Sequence, residues 1–287
     1  MLKLKTMILF PNAKINIGLR VLNRRPDGYH NLSSIFVPVG WQDVLELVPS
    51  ESGRTTLVQS GPMAVDCPQE KNLVIKAMKA LEIEIERPLP PTDIFLRKNI
   101  PSGAGLGGGS ADAAFALRGL NSLYNLGLSD KTLARVASKV GADCPFFFFN
   151  RPMLVSGIGD IMEPIELPAL EGCHIMIAKR RGATVSTAEA YANVRPAELP
   201  EGRSLKEGAS DLTCSLLVND FEASLFPSRS DIASLKAAIQ ATGAIYTSMS
   251  GSGASVFGIY ADAKMAENAR KEMKDCDTFV GTVPFKP

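Results

Sequence analysis

The chain has 287 residues, of which 45% are hydrophobic and 21% charged, enough apolar content for one large domain or two smaller ones and too much for a disordered chain. Lysine plus arginine (31) nearly balances aspartate plus glutamate (30), so the net charge is +1 and the basic face of a nucleic-acid binder is not expected. Two histidines are too few for a three-histidine metal site, and five cysteines without a C-x-x-C pair fit neither a disulfide framework nor a zinc site, which points to a cytoplasmic protein.

In chain order, Met7-Ile8-Leu9-Phe10 is stopped by Pro11, too short a run for a secretory leader. No apolar run reaches the roughly eighteen residues of a membrane span. Strands are predicted over 7–10 and 14–22, the second from the alternation in Lys14-Ile15-Asn16-Ile17-Gly18-Leu19. Pro26-Asp27-Gly28 has turn chemistry, and strands follow over 33–39 and 43–48. Asn72 is placed to cap a helix over 73–81. A strand over 94–100 precedes a glycine loop, an alanine-rich helix over 110–123 and a helix over 131–140 capped by Ser129. Phe146-Phe147-Phe148-Phe149 is expected to be a buried strand.

Beyond about residue 165 the texture changes. Strands are expected over 173–178, 245–249, 254–260 and 278–283, and helices over 186–192, 231–241 and 263–273, with a loop over 195–210. The expectation is an α+β chain of two domains, 1–165 and 166–287, dividing near Glu163-Pro164, with the first six residues as an extension.

The glycine loop reads Pro101-Ser102-Gly103-Ala104-Gly105-Leu106-Gly107-Gly108-Gly109-Ser110-Ala111, five glycines in seven positions from 103 to 109. Glycine is costly to order, so this density implies a backbone that must turn tightly and aim several N–H groups into one concavity. The helix that follows adds free N–H groups and its positive dipole end, a combination that binds phosphate. Gly103, Gly105 and Gly108 also fit G-x-G-x-x-G, but residues 120–128 offer no strand ending in the acidic residue that a dinucleotide site needs. Gly109-Ser110 lacks the lysine of a Walker A loop, and the H-R-D and D-F-G strings of protein kinases are absent.

Other candidates are ambiguous one at a time. Lys14 and Asn16 share a strand face, where a lysine alone reads as solvated. Asp143, in Gly141-Ala142-Asp143-Cys144-Pro145, reads alone as a turn aspartate, although the apolar run beyond it could tune a carboxylate. Tyr29 and His30 could hold a base or simply pack on a sheet, and Ser250-Gly251-Ser252-Gly253-Ala254-Ser255 could be an ordinary hairpin turn.

Their order and spacing are more specific than any one of them. Pro-x-Ala-Lys-x-Asn, Pro-Asp-Gly-Tyr-His, the Pro-x-Gly-x-Gly-Leu-Gly-Gly-Gly-Ser loop, Gly-Ala-Asp-x-Pro and the late Ser-Gly-Ser-Gly-Ala together resemble the GHMP small-molecule kinases, from about Phe10 to Phe285. The resemblance implies an N-terminal ATP-binding domain of the ribosomal-protein-S5-domain-2-like type, a C-terminal ferredoxin-like α+β domain, and an active site in the cleft between them. It also implies ATP as phosphoryl donor with Mg2+, and leaves the magnesium ligands open. By motif, Pro101 to Ala111 would wrap the triphosphate, with Asn72 and Lys98 near the adenine. Asp143 would be the catalytic base or orienter of the attacking hydroxyl, and Lys14 the catalytic lysine that keeps it ionised. Asn16 would bond the hydroxyl or orient Lys14, and Gly251 and Ser252 would shape the substrate-phosphate side. Pro-Asp-Gly-Tyr-His is the string of the branch that acts on a cytidine diphosphate methylerythritol, a small-molecule substrate of the non-mevalonate isoprenoid route phosphorylated on its 2-hydroxyl; there Tyr29, His30 and Tyr191 would hold the cytosine. The alternatives are a GHMP kinase for mevalonate, homoserine or a sugar, and a nucleotide-binding module without catalysis. No nucleic acid or membrane partner is implied, and the sequence does not distinguish a monomer from a homodimer.

Overall fold

A computed structural model of the chain describes residues 6–192, 194–196, 199–201 and 203–285. Residues 1–5 of the expected extension lie outside the described residues. The elements are β1 (Met7–Leu9), β2 (Asn12–Arg24), β3 (His30–Gln42), β4 (Val44–Pro49), β5 (Thr56–Ser60), α1 (Leu73–Glu84), β6 (Thr92–Arg97), α2 (Gly108–Leu123), α3 (Asp130–Ser138) and α4 (Phe146–Phe149). They continue with β7 (Met153–Ser156), β8 (Ile161–Pro164), β9 (His174–Arg180), α5 (Thr187–Ala192), α6 (Asp220–Leu225), α7 (Ser230–Ala241), β10 (Tyr246–Met249), β11 (Val256–Tyr260), α8 (Ala263–Glu272) and β12 (Cys276–Thr282).

The chain forms two compact units. The first holds the chain up to Ala13, Trp41–Ser102 and Gly107–Phe149; the second holds Lys14–Gly40, Gly103–Leu106 and the chain from Asn150 onward. Glu163 and Pro164, where the sequence put a single boundary, lie on β8 inside the second unit, because the β7–β8 hairpin pairs with β3 through Ser34↔Val155 and Phe36↔Met153.

In the first unit the strand order is β1-β4-β6-β5, antiparallel except for the parallel β5–β6 pair. Leu45, Leu47, Ile94 and Leu96 alternate inward and are buried. Helix α2 covers them with small residues, Ala113, Ala116 and Gly119. A Cβ on Gly119 would lie 2.5 Å from Leu47 Cδ1, so glycine sets how closely this helix approaches the sheet. Asn72 caps α1 by accepting from Val74 N at 2.9 Å, and Ser129 caps α3 through Thr132 N.

The phenylalanine run is helical, not a strand. Phe146 N, Phe147 N and Phe148 N donate to the carbonyls of Asp143, Cys144 and Pro145, so winding that starts in the preceding turn carries through the run. A short unbroken apolar run has no period of its own and takes the conformation its neighbours impose. Phe146, Phe147 and Phe148 are buried as expected of core residues, whereas Phe149 is 45% exposed.

The second unit contains a sheet ordered β2-β3-β7-β8 and an antiparallel sheet ordered β10-β11-β9-β12. The chain order β9, α7, β10, β11, α8, β12 with that strand arrangement is the ferredoxin-like α+β pattern. Ile232, Leu235, Ile239, Ala266 and Ala269 pack from α7 and α8 onto Met176, Ala178, Val256 and Tyr260. The residues read as one loop over 195–210 include a capped turn of 3-10 helix, Leu205–Ala209, in which Ser204 accepts from Lys206 N. Among the described residues no helix is long and apolar enough to cross a membrane.

Candidate active site

In the second unit, β2 carries Lys14 and Asn16 on one face, as the alternation predicted. Lys14 is 3% exposed, which disposes of the solvated reading. Its Nζ donates to Asn16 Oδ1 at 2.6 Å and lies 4.5 Å from the centre of the Phe36 ring. Asn16 Nδ2 donates to Ser34 Oγ at 3.0 Å, and Ser34 Oγ donates to Gly18 O at 2.6 Å. The ammonium is thus aimed by a chain of buried side chains that ends on the strand's own backbone, with Lys14 N held on Leu106 O at 2.9 Å.

That last bond ties the strand to the first half of the glycine loop. Ser255 N donates to Ala104 O at 3.2 Å and Ser250 Oγ to Gly105 O at 2.8 Å, so the late Gly-Ser turn cradles this half. Gly105 has φ +72°, and a Cβ there would lie 1.9 Å from Ser250 O; no other residue type fits. Gly251 is close to both the loop and β2, its Cβ position 3.2 Å from Gly105 O and 3.3 Å from Asn16 Oδ1. Ser252 is the partly exposed residue of the turn.

Asn219 fixes that turn. It is 3% exposed, its Nδ2 donates to Met249 O and Gly251 O at 2.8 and 2.9 Å, and its Oδ1 accepts from Phe221 N at the start of α6. Sequence reasoning passed over Asn219, although an asparagine before Asp220 and Glu222 carries the mark of a helix N-cap.

Two of the three residues that the resemblance assigns to the base, His30 and Tyr191, meet in this unit. His30, at the start of β3, stacks on Tyr191 of α5 with ring centres 5.3 Å apart and planes at 24°, and Tyr191 meets Phe221 edge-on at 4.8 Å. Tyr29 is 62% exposed on the preceding turn, where its N donates to Asp27 Oδ1. Hydrogen bonds from the Arg25 guanidinium hold the Asp27 carboxyl below its usual range.

In the first unit the second half of the glycine loop runs into α2. Gly107 is the N-cap, with φ +70°, and among the described residues no side chain caps the helix. Its first N–H groups, with the helix dipole behind them, are free to meet an anion. The turn that bears Asp143 packs against this first helical turn: the Cβ position of Gly141 is 3.2 Å from Cys144 Sγ and 3.9 Å from Ser110 Oγ. Burial pushes the Cys144 thiol up to about 12, which keeps it protonated and unreactive at neutral pH.

Asn72 spends its side-chain oxygen on the α1 cap, and Lys98 is not turned outward at all. Lys98 Nζ donates to Asp43 Oδ2 and, at 2.6 Å, to Asp112 Oδ2, all three residues being at most 4% exposed. From sequence, Asp43 is only the start of a strand and Asp112 has no role. A lone carboxylate set among Ala111, Ala113 and Ala114 was the available signal, since that helix face has nowhere to go but inward.

The class follows from these features together with the family models. The model of the GHMP kinases N terminal domain matches residues 72–151, and that of the GHMP kinases C terminal matches residues 199–277. The chain belongs to the GHMP kinase family. A 4-diphosphocytidyl-2-C-methyl-D-erythritol kinase of Parabacteroides distasonis is 50% identical to it over 258 residues, 88% of this chain and 92% of the relative. The enzyme of that name from Porphyromonas gingivalis is 40% identical over 280 residues, 97% of this chain and 100% of the relative. A crystal structure of 4-(cytidine 5'-diphospho)-2C-methyl-D-erythritol kinase superposes with a TM-score of 0.81 at 30% identity, covering 98% of this chain and 100% of that one.

Proposed function

We infer that this chain transfers the γ-phosphoryl group of ATP to the 2-hydroxyl of 4-diphosphocytidyl-2-C-methyl-D-erythritol, giving the 2-phosphate and ADP, in the cytoplasm and within the non-mevalonate isoprenoid route. Relatives of that name at 40% to 50% identity support the activity. The observation that carries the choice of substrate is the His30–Tyr191 stack, an apolar face with a ring nitrogen beside it. Homoserine, mevalonate and sugars have no base to lay on such a face, whereas a cytosine does.

In the proposed mechanism Pro101 to Ala111 hold the triphosphate through backbone N–H groups, and Asn72 lies toward the adenine. The Asp143 carboxylate takes the proton of the 2-hydroxyl as its oxygen attacks the γ-phosphorus. The bond from that phosphorus to the bridging oxygen of the β-phosphate breaks, and ADP leaves. Lys14, aimed by Asn16, stabilises the charge spread over the transferring group, the main task in a reaction with little covalent chemistry. Gly251 and Ser252 border the substrate's phosphates, and Tyr29, His30 and Tyr191 hold its base.

Among the described residues no three His, Cys, Asp or Glu side chains gather into a metal cage. Mg2+ carried in on phosphates needs only one or two protein oxygens, and Ser110, at the start of α2, with Asp143, in the turn packed beside it, would supply them. Bound there, the ion would neutralise phosphate charge.

Purified protein given ATP, Mg2+ and the cytidine diphosphate alcohol is expected to release one ADP per phosphorylated product. Turnover of homoserine or mevalonate, with none of the cytidine compound, rejects the assignment.

A further inference from the structure

The glycine loop has two backbone ends, and both rest on one buried cluster of charges. Asp43 Oδ1 accepts from Asn99 N at 2.6 Å and from Ile100 N at 2.9 Å, the two residues that lead into Pro101. Its Oδ2 accepts from Lys98 Nζ, which donates in turn to Asp112 Oδ2, one turn inside α2. The exit of the loop packs directly on its entry: a Cβ on Gly108 would lie 2.9 Å from Ile100 Cγ2 and 3.5 Å from Lys98 Nζ. We propose that Asp43, Lys98 and Asp112 are positioning residues, a buried brace that fixes the two ends of the glycine loop at the spacing its N–H groups need to hold the ATP phosphates. This rests on the reading of that loop as the triphosphate site.

Stability alone does not account for the cluster. Burying two carboxyls with one ammonium is costly, and apolar side chains of the same volume would often serve a fold as well or better. Asp112 is poorly provided for: its Oδ1 is buried with no hydrogen-bond partner among the described residues. Burial, with the Asp43 carboxyl beside it and only partly offset by Lys98, raises its pKa to about 7. Burial works against the Lys98 ammonium too, but the two carboxyls outweigh it and hold its pKa above that of an ordinary lysine. What the cluster supplies is a directional link, three donors converging on Asp43 and one ammonium spanning from it to the helix.

The test uses the full chain and the contrast between two substitutions at one position. Asp112→Ala removes the helix side of the brace together with an unsatisfied buried oxygen, so the protein is expected to fold. Its KM for ATP should rise about tenfold or more, while the KM for the cytidine diphosphate alcohol moves less than about twofold. Asp112→Asn keeps an acceptor for Lys98 and should restore the ATP KM to within about twofold of wild type. Lys98→Met should repeat the selective rise; if it does not fold, the two Asp112 variants decide. A folded Asp112→Ala variant with wild-type ATP KM, or one in which both KM values rise alike, overturns the brace. Wild-type protein run alongside separates the two claims. If it turns over and Asp112→Ala matches it, the brace alone falls; if it neither binds nor uses ATP, the reading of the loop falls and the brace with it.

Discussion

Asp143 stands in a turn whose next residue, Cys144, is fully buried and whose Gly141 lies close to Ser110 at the start of α2. If it takes the proton of the attacking hydroxyl, Asp143→Asn should lower kcat by about two decades or more and leave the KM for ATP nearly unchanged. Steady-state kinetics at saturating ATP would show this, and near-wild-type turnover would remove Asp143 from the role. In the proposed reading His30 acts on a different part of the substrate. Its ring packs on Tyr191, and in the proposed reading the pair offers a surface for a base. His30→Ala should raise the KM for the cytidine diphosphate alcohol by about tenfold, from lost ring contact, and leave ATP alone. An equal effect on both substrates would place His30 elsewhere. At this scale the sequence was most legible where chemistry and spacing are local. Lys14 and Asn16 are two positions apart and meet because a strand has a period of two. Asp43 and Lys98 are 55 positions apart, and nothing in either local pattern announces their pairing.

The glycine loop is the element on which most of the site depends, and its first half has no spare room. Gly105 combines φ +72° with a Cβ position 1.9 Å from Ser250 O. An alanine there brings both backbone strain and a collision with main chain, which no rotamer can relieve. Gly105→Ala should therefore cost about 2 kcal/mol or more, read as a lower denaturant midpoint, and should weaken ATP use well beyond that loss of folded protein. Unchanged stability would mean that the late turn yields. The sequence identified the loop and the late turn as separate glycine-rich strings, since composition marks tight backbone wherever it occurs. It could not show that Ser250 and Ser255 bond the loop, because a hairpin turn's sequence records its own bend and not what it closes on. The phenylalanine run failed for a related reason: four identical apolar residues give no phase, and the turn at Asp143 decided their conformation.

For the molecule as a whole, stability should carry the mark of Asp112. Its carboxyl stays protonated in the fold up to about 7 but is released at about 3.8 in the unfolded chain. Between those values the folded state binds the extra proton, so this group lowers unfolding stability as pH rises across the window and adds no further change above it. Asp112→Asn removes that slope. Relative to wild type, the variant should gain stability progressively from about pH 4 to pH 7, measured as the difference in urea midpoints. A difference that stays constant with pH would show that Asp112 does not titrate there. At this scale the α+β class was legible, because capped helices and alternating strands followed one another in order, whereas the ferredoxin-like half was expected only from the resemblance of the motifs. The partition of the chain was not legible, since it depends on β3 pairing with a hairpin more than a hundred residues away.

That partition bears on how such a protein can be inherited. The first compact unit ends at Phe149 and the second begins at Lys14, so the two overlap along the gene. A single crossover between the coding sequences of two relatives therefore leaves at least one unit part of each parent, wherever it falls. Recombination could exchange either unit cleanly only by several coordinated switches, and a chimera made with one join must tolerate mixed packing inside a core.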